Sequence, residues 1–210
     1  MLNNNQNIFD FSQTTDAVGH VEQINYRDAK YLILNVHYAK RMPSISYAFG
    51  LFKDGKLQGV CTFGSPASHF LCIGVCGVEH QSKVLELNRL VLTDNKKNQA
   101  SFLIAKSLKL LPKPKIIVSY ADSLQNHTGI IYQASNFLFT GTTKERTDIA
   151  SEKNRHSRHH SGDLKKRVKR SSKHRYVYFL GNKKQKSELR NALKYCVLQY
   201  PKSNKIAMGF

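Results

Sequence analysis

Three consecutive segments in the middle of the chain restrict its possible folds more than any other part. Residues 83–92 (KVLELNRLVL) first alternate and then become continuously apolar, which is typical of a central strand. A polar turn, residues 93–99, precedes an amphipathic segment, Ala100–Leu110, and the prolines that follow end the helix. The next apolar run, Lys115–Ser119, has the character of a second buried strand. A strand, a helix and a strand in this order predict a sheet covered by helices.

The N-terminal third adds a helix and a hairpin. Apolar residues recur at helical spacing over residues 26–41, so we expect a helix that ends before the following proline. Residues 45–53 and 56–64 are typical of two strands, and Asp54-Gly55 between them is a strong hairpin signal. Residues 70–78 favour a further strand or a mixed stretch.

The C-terminal part continues the alternation of helices and strands. It contains a short helix at residues 128–133, a strand at 137–139, a strand at 175–181 and a helix at 184–195. Together the elements predict an α/β (α+β) fold with a mixed central sheet flanked by helices. We expect residues 1–18, rich in Asn, Gln, Ser and Thr, to be a flexible N-terminus and residues 19–210 to form a single domain.

Basic residues dominate the charge of this chain of 210 residues, whose formal net charge is +19 at pH 7. Such an excess predicts a polyanionic partner, most simply nucleic acid, because each neutralised phosphate releases counterions. The alternative is a basic surface that is merely solvated. Within residues 151–175, ten Lys and Arg residues accompany two acidic residues. We expect a mobile basic loop inserted between folded elements, which either clamps a polyanion or is a solvated insertion without a role.

The four cysteines, Cys61, Cys72, Cys76 and Cys196, have no disulfide-framework spacing. Cys72 and Cys76 lie in an apolar run, so buried free thiols are expected. No second Cys or His pair stands nearby at zinc spacing, so no metal site is predicted, and a metal requirement is left open. The N-terminus lacks the features of a signal peptide, and no apolar run reaches the length of a membrane span. We therefore expect a soluble, intracellular protein in a reducing compartment.

The turn at residues 93–99 is a candidate phosphate site because it leads from a central strand into a helix N-terminus. Free backbone N–H groups and the helix dipole favour an anion there, and Lys96 and Lys97 add positive charge. The turn has neither a Walker pattern nor the glycines of a Rossmann fingerprint. It suits a pyrophosphate such as that of coenzyme A, or it is an ordinary capped helix, with Ser101 as cap or phosphate contact.

Three polar residues end the strand that begins at Lys115: Ser119, Tyr120 and Asp122. Open α/β sheets bind ligands at the carboxyl ends of their strands, so these residues are site candidates, although Asp122 also suits a cap of the next turn. Side chains alternate along a strand, so Tyr120 should point to the face opposite Ser119. Asp122 could activate an amine or orient His37.

Two further positions combine reactive groups with an expected position near the sheet. His37 could serve as a base at neutral pH and Tyr38 could donate to an oxyanion, or His37 pairs with a carbonyl at a helix end. Arg89 lies in a strand that should be buried, where an unpaired charge is costly. We expect it to pair with Glu86 or Asp122, or to face DNA or a donor phosphate.

Several segments together resemble the core of GNAT-type acyltransferases. They are residues 54–57 (DGKL), 86–92 (ELNRLVL), 97–105 (KNQASFLIA), 118–122 (VSYAD) and 127–137 (HTGIIYQASNF). A more specific set resembles the Mom proteins of Mu-like bacteriophages. That set is His37-Tyr38 with Pro43, FGSPAS, LNRLVL, KNQASFLIAKSL, SYAD and residues 126–141, and the resemblance covers residues 30–180.

This resemblance implies a GNAT-like fold with a basic inserted loop. It also implies an enzyme that adds a carbamoylmethyl group to N6 of adenine in phage DNA, in the cytoplasm of the host, so that the DNA resists restriction. The implied donor is acetyl-CoA or a related acyl-CoA, and the implied partner is double-stranded DNA with the adenine flipped out. Because the product carries the group through its methylene carbon, plain acetyl transfer does not produce it.

The residues and the resemblance together give candidates for three roles. The catalytic candidates are His37, Tyr38, Ser119, Asp122 and Tyr132. Tyr132 occupies the helix position where GNAT enzymes keep a tyrosine that protonates the leaving thiolate, or it is a core aromatic residue. The donor-binding candidates are Leu90, Val91, Leu92, Lys97, Asn98, Ala100 and Ser101. The DNA-binding candidates are Arg89, His127, Arg155, Arg158, Lys165, Lys166, Arg167, Lys169 and Arg170.

Two other functions are compatible with the same residues. A non-catalytic DNA-binding protein that blocks host defence predicts salt-sensitive DNA binding without covalent change. A GNAT-type N-acetyltransferase acting on a protein, RNA or small amine predicts turnover of acetyl-CoA and unmodified DNA. The fold alone does not separate these functions.

Overall fold

The computed structural model of the protein describes residues 19–94, 96–149 and 167–202. The strands are β1 (His20–Gln23), β2 (Tyr47–Lys53), β3 (Lys56–Gly64), β4 (Val84–Leu92), β5 (Lys115–Asp122), β6 (Leu138–Thr142), β7 (Arg146–Ile149), β8 (Arg167–Arg170) and β9 (Lys173–Leu180). The α-helices are α1 (Tyr26–Asn35), α2 (His69–Cys76), α3 (Gln99–Leu110), α4 (Ile130–Ala134) and α5 (Lys183–Asn191). Short 3-10 helices cover Val78–Lys83 and Ser123–Gln125.

A seven-stranded sheet forms the centre of the described structure. Its strand order is β1-β2-β3-β4-β5-β9-β6, and β4 and β5 are its parallel neighbours, whereas the other neighbouring pairs run antiparallel. A parallel pair needs a crossover connection, and α3 provides it. β7 and β8 form a separate two-stranded sheet. The predicted mixed central sheet flanked by helices is confirmed.

The predicted hairpin between β2 and β3 is confirmed. Asp54 and Gly55 both have positive φ angles, 51° and 70°. Two such residues in a two-residue loop are typical of a type I′ turn, whose twist matches the twist of the strands that it joins. This turn fixes β3 beside β2 over the predicted residues 56–64.

Helices cover both faces of the sheet. One face, which we call the α3 face, packs α3 and α4 over a core that includes Phe63, Ile117 and Tyr176. The opposite face, the α1 face, packs α1 over Val60 and packs α2 and α5 over Val118. Successive side chains of a strand point to opposite faces of the sheet. The polar groups of the site are divided between the two faces in the same way.

Two boundaries and one element differ from the prediction. The helix predicted over residues 26–41 is α1, which ends at Asn35, and the helix predicted to reach residue 195 is α5, which ends at Asn191. The strand or mixed stretch predicted over residues 70–78 is wrong, because the segment is α2. A short apolar run fits a buried helix as well as a strand. The helix α2 packs on the α1 face and ends at Cys76, and the next residue, Gly77, has a φ of 91°.

The basic loop predicted over residues 151–175 is wrong for its last part. Residues 167–170 form β8, and residues 173–175 begin β9. Backbone hydrogen bonds to β7 and β5 hold these residues in strands, and their charged side chains can remain solvated because they point away from the core. Residues 151–166 of the predicted loop lie outside the described ranges.

None of the helices in the described ranges has the length and apolar character required to span a bilayer.

Candidate active site

The two parallel strands separate in the middle of the sheet. β4 and β5 pair up to Leu87 and Ser119, and the register of the described residues does not continue beyond that point. A bulge at Asn88, where the register against β3 shifts, accompanies the separation. The result is an opening between residues 88–92 of β4 and residues 120–122 of β5.

The opening exposes one edge of the β4 backbone. Residues 89–92 remain paired with β3 on their other edge, so alternate peptide groups point toward the opening. The predicted donor-binding residues Leu90, Val91 and Leu92 form this edge. Free peptide N–H and C=O groups in a row can hydrogen-bond an extended chain that contains amide groups.

The start of α3 lies next to this edge and carries the other predicted donor-binding residues. Asn98 is in the left-handed conformation, and its side chain does not cap the helix. The Gln99 N–H donates to the Lys96 carbonyl over 3.3 Å, which leaves the N–H groups of Ala100 and Ser101 in the first turn to find another acceptor. The Ser101 hydroxyl donates to the Asn98 carbonyl over 3.1 Å. Lys96 pairs with Asp94 at 2.8 Å, whereas Lys97 is exposed beside the helix start, next to Ala100 in the first turn. This arrangement can hold a phosphate.

Two predicted catalytic residues meet on the α3 face of the opening. Ser119 is fully buried, and its Oγ donates to the Leu87 carbonyl over 3.0 Å where the strands separate. Burial raises the pKa of Tyr132 to about 12, although the nearby Ser119 side chain acts in the opposite direction. The Tyr132 ring packs on Phe137 and Tyr176, with centroid distances of 5.6 and 5.4 Å. A neutral phenol held here can donate a proton to a leaving group.

Three aromatic rings form a cluster on the α1 face of the opening. The rings of His37 and Tyr38 stack with centroids 4.4 Å apart, and the His127 ring lies 6.1 Å from Tyr38 in a T-shaped arrangement. The Tyr38 side chain is half exposed. Burial and the charge of Asp122 raise the pKa of Tyr38, so the phenol is neutral. A neutral, exposed ring can stack on a nucleobase.

The hydrogen bonds of His37 fix the state of its imidazole. Nδ1 accepts the Ala39 N–H over 3.0 Å, so in the neutral ring the proton is on Nε2. Burial, together with the charges of Arg89 and His127, lowers the pKa of His37 to about 4. At neutral pH the imidazole is therefore uncharged and its Nδ1 lone pair is occupied by the backbone, and the role of His37 as a base stays a prediction. His37 presents an Nε2–H donor.

Arg89 satisfies much of its guanidinium with backbone carbonyls. Nη2 and Nε donate to the Arg41 carbonyl over 2.8 and 3.2 Å, and Nη1 donates to the Asn88 carbonyl over 2.6 Å. Among the described residues no carboxylate lies within 4.0 Å of it, so the predicted pairing with Glu86 or Asp122 is wrong. Burial, and next the charge of Arg41, lowers the pKa of Arg89. A partly buried guanidinium without a carboxylate partner favours the binding of an anionic ligand.

Asp122 combines a cap with contacts to another strand. Its Oδ1 accepts the Leu124 N–H over 3.0 Å and the Ser171 hydroxyl over 2.5 Å, while Lys173 Nζ lies 3.6 Å from Oδ2. Asp122 therefore caps the turn that follows β5, which was one of the two roles predicted for it from the sequence. The carboxylate does not orient His37, whose Nδ1 is bound to the backbone.

Glu86 is a site residue that the sequence interpretation placed only as a partner of Arg89. It lies partly buried on the α1 face of β4, just before the strands separate. Burial raises the pKa of Glu86, whereas the charges of Lys173 and Arg89 lower it. The charge of Glu86 raises the pKa of Tyr120, secondary to burial, so the two side chains share this face, opposite Ser119. The signal available in the sequence was a lone acid within an apolar strand.

The predicted DNA-binding residues divide into three groups. His127 and Arg89 lie at the opening. Arg167, Lys169 and Arg170 lie on β8, where Arg170 Nε is 3.6 Å from Asp148 Oδ2 of β7. The last group lies outside the described ranges: Arg155, Arg158, Lys165 and Lys166. Within the described ranges, no group of three or more His, Cys, Asp or Glu side chains could hold a metal ion.

The fold and the site define an α/β protein whose central sheet opens where β4 and β5 separate. A family model for the Mom protein family matches residues 19–202, which are most of the chain. The chain belongs to the Mom protein family.

One curated protein is similar to part of the chain. The methylcarbamoylase Mom of Escherichia phage Mu is 32% identical over 128 residues, which are 58% of this chain and 53% of that protein. The match therefore spans about half the length of this relative.

Several solved structures are similar to the chain at low sequence identity. An N-acetyltransferase of Staphylococcus aureus Mu50 has a TM-score of 0.48 and 14% identity, over 77% of this chain and 98% of that chain. A GNAT-family acetyltransferase of Bacillus cereus has a TM-score of 0.45 and 13% identity, over 76% and 96%. A Bacillus subtilis acetyltransferase in complex with CoA has a TM-score of 0.42 and 15% identity, over 77% and 98%.

Proposed function

We propose that this chain is a transferase that modifies DNA, attaching a carbamoylmethyl group to N6 of adenine with an acyl-CoA-type donor. The family match over residues 19–202 carries the proposal. It is supported by the positions of the segments that resemble Mom proteins. His37-Tyr38, LNRLVL, SYAD and residues 126–141 are distant in the sequence, and each contributes a side chain at the opening.

The donor is proposed to bind along the α3 face and the free edge of β4. The peptide groups of residues 90–92 suit the amides of a CoA arm, and the uncapped start of α3 with Lys97 suits its pyrophosphate. When bound, the donor would supply the methylene carbon that N6 attacks, and the bond from that carbon to the leaving group would break. Tyr132, a neutral phenol packed on Phe137 and Tyr176, is placed to donate a proton to the leaving group.

The adenine is proposed to bind on the α1 face. Extracting it from a duplex costs a few kcal/mol, and stacking on Tyr38 offsets part of that cost. The Nε2–H of His37 can donate to a ring nitrogen of the base, and Arg89 faces an anionic group of the substrate. Substitution at N6 releases a proton, for which the Glu86 carboxylate is the proposed acceptor, since no described residue pairs with it in an ion pair.

The new bond of the proposed product joins N6 to a methylene carbon. Transfer of an acetyl group through its carbonyl carbon gives an amide instead, with a different mass. The mass of the modified nucleoside therefore separates the proposed reaction from ordinary acetylation.

The experiment is co-expression of the full chain with a plasmid, followed by digestion of the DNA to nucleosides and mass spectrometry. We expect deoxyadenosine carrying a carbamoylmethyl group. His37→Ala and Asp122→Ala should lose the product and keep the circular dichroism spectrum of the fold. Lys109→Ala, at an exposed position of α3, is the matched control and should behave like the original chain.

Two results would contradict the proposal. One is unmodified deoxyadenosine in cells that contain the soluble, folded chain. The other is unmodified DNA together with acetylation of a protein, RNA or small amine, which would identify an ordinary N-acetyltransferase.

A further inference from the structure

Two short strands project from the main sheet as a separate ribbon. The described residues of β7 (Arg146–Ile149) pair antiparallel with those of β8 (Arg167–Arg170), and neither strand joins the seven-stranded sheet. We call these eight residues the arm. Side chains alternate between two faces along each strand, and directly paired residues of the two strands point to the same face.

The root of the arm is fixed to the tip of β5, next to the opening. Ser171 donates to Asp122, and the ammonium of Lys173 lies 3.6 Å from the same carboxylate. The Ser123 backbone N–H and hydroxyl both donate to the Ser172 carbonyl, over 3.3 and 2.7 Å. On the other side of the root, Lys173 N–H donates to the Thr143 hydroxyl over 2.9 Å. These contacts set the position of the arm relative to the site.

The two faces of the arm differ in charge. One face contains Arg146, Arg170 and Asp148, and it includes an ion pair of 3.6 Å between Arg170 and Asp148. The opposite face contains Arg167 and Lys169, both exposed, and among the described residues it has no acid. Arg167 contacts the Thr147 hydroxyl at 3.4 Å, and Lys169 has no partner in the described part of the chain. This acid-free face is suited to a polyanion.

We infer that the arm enters the major groove of double-stranded DNA with its Arg167 and Lys169 face toward the duplex. The inference rests on the proposed function and adds the groove and the surface. The major groove is wide enough for a two-stranded ribbon, whereas the minor groove is about half as wide. The N6 amine of adenine also lies in the major groove. An arm fixed beside the opening therefore approaches the duplex from the side that carries the target atom.

The test is dimethyl sulfate footprinting on an unmodified duplex without donor, using the full chain. Dimethyl sulfate methylates guanine N7 in the major groove and adenine N3 in the minor groove, which are distinct groove atoms. We expect protection of N7 within the bound region and unchanged reactivity of N3. Arg167→Gln/Lys169→Gln should lose the N7 protection, and the slope of log K against log salt should fall by about two, roughly 0.9 per phosphate contact.

The matched control is Lys183→Gln/Lys184→Gln. It removes the same charge from the start of α5, at the opposite end of β9 from the arm root. Its footprint and salt slope should stay close to those of the original chain. Thermal unfolding of each variant shows that it is folded.

Protection of adenine N3 alone would overturn the inference in favour of the minor groove. Equal losses in the arm variant and the α5 variant would also overturn it, since they would indicate attraction by net charge. These binding results do not depend on covalent change. If the footprint is found and no modified nucleoside forms, the proposed function fails while the groove assignment stands.

Discussion

At the scale of single residues, His37 connects stability with pH. Its imidazole is neutral when the chain is folded, because burial and neighbouring cations lower its pKa from 6.5 to about 4. The unfolded chain therefore binds a proton between these two pH values that the folded chain does not bind. Stability is fully present above pH 6.5 and is lost as the pH falls toward 4.

We predict that His37→Gln weakens this pH dependence. At pH 5 the contribution of His37 is on the order of 1 kcal/mol after allowance for solvent screening of the partly exposed ring. The variant should therefore lose less stability between pH 7 and pH 5 than the original chain, as measured by urea unfolding at both pH values. His20→Gln, which removes an exposed imidazole, is the control and should keep the original dependence. Identical curves for His37→Gln and the original chain would show that His37 is not held neutral.

Residue types at the site could be predicted from the sequence better than residue roles. The polar tip of β5 was recognisable because Ser119, Tyr120 and Asp122 follow an apolar run. The contacts of Asp122 with Ser171 and Lys173 were not predictable, because they join residues 49 or more positions apart through a sheet pairing. Arg89 was recognised as a buried cation, but its partner is the Arg41 carbonyl, and carbonyls leave no signal in a sequence.

At the scale of elements, the start of α4 depends on a glycine. Gly129 has a φ of 81°, and a Cβ added there would lie 2.4 Å from the ring of Tyr176, which is fully buried. The Tyr176 hydroxyl in turn donates to the Thr128 carbonyl. Because neither group can move freely, this close contact sets the position of α4 and of Tyr132 on it.

We predict that Gly129→Ala destabilises the chain by about 2–4 kcal/mol, the sum of left-handed backbone strain and overpacking. The measurement is urea unfolding. Gly55→Ala is the matched control, since Gly55 also has a positive φ, 70°, but open space around it. It should cost only the strain, about 1 kcal/mol. Equal costs at the two positions would show that the Tyr176 contact does not position α4.

Elements with strong local signals were predictable, and elements defined by distant contacts were not. The unit β4, α3 and β5 follows from hydrophobic periodicity, and the β2–β3 turn follows from Asp54-Gly55. The helix α2 has an apolar sequence that fits two secondary structures, and packing on the α1 face decides between them. β8 consists of charged residues around one valine, and its pairing with β7 is what makes it a strand.

At the scale of the whole molecule, the two proposed ligands approach from opposite faces of the sheet. The uncapped start of α3 and Tyr132 belong to the α3 face. The ring of Tyr38 lies on the α1 face, and the arm is fixed to Asp122 at the tip of β5. The faces meet where β4 and β5 separate, so the proposed reaction would bring the two ligands together there while their proposed binding surfaces remain distinct.

We therefore predict that CoA and duplex DNA bind without competing. The dissociation constant of CoA, measured by calorimetry, should change less than about threefold, or 0.7 kcal/mol, when saturating duplex is present. By linkage, CoA should change DNA affinity by the same factor. Lys97→Glu should weaken CoA about tenfold, or 1.4 kcal/mol, and leave the DNA footprint unchanged. Arg167→Gln/Lys169→Gln should lose the DNA footprint and leave the CoA affinity unchanged. Displacement of CoA by the duplex would place both ligands on one face, and it would contradict this division of the molecule.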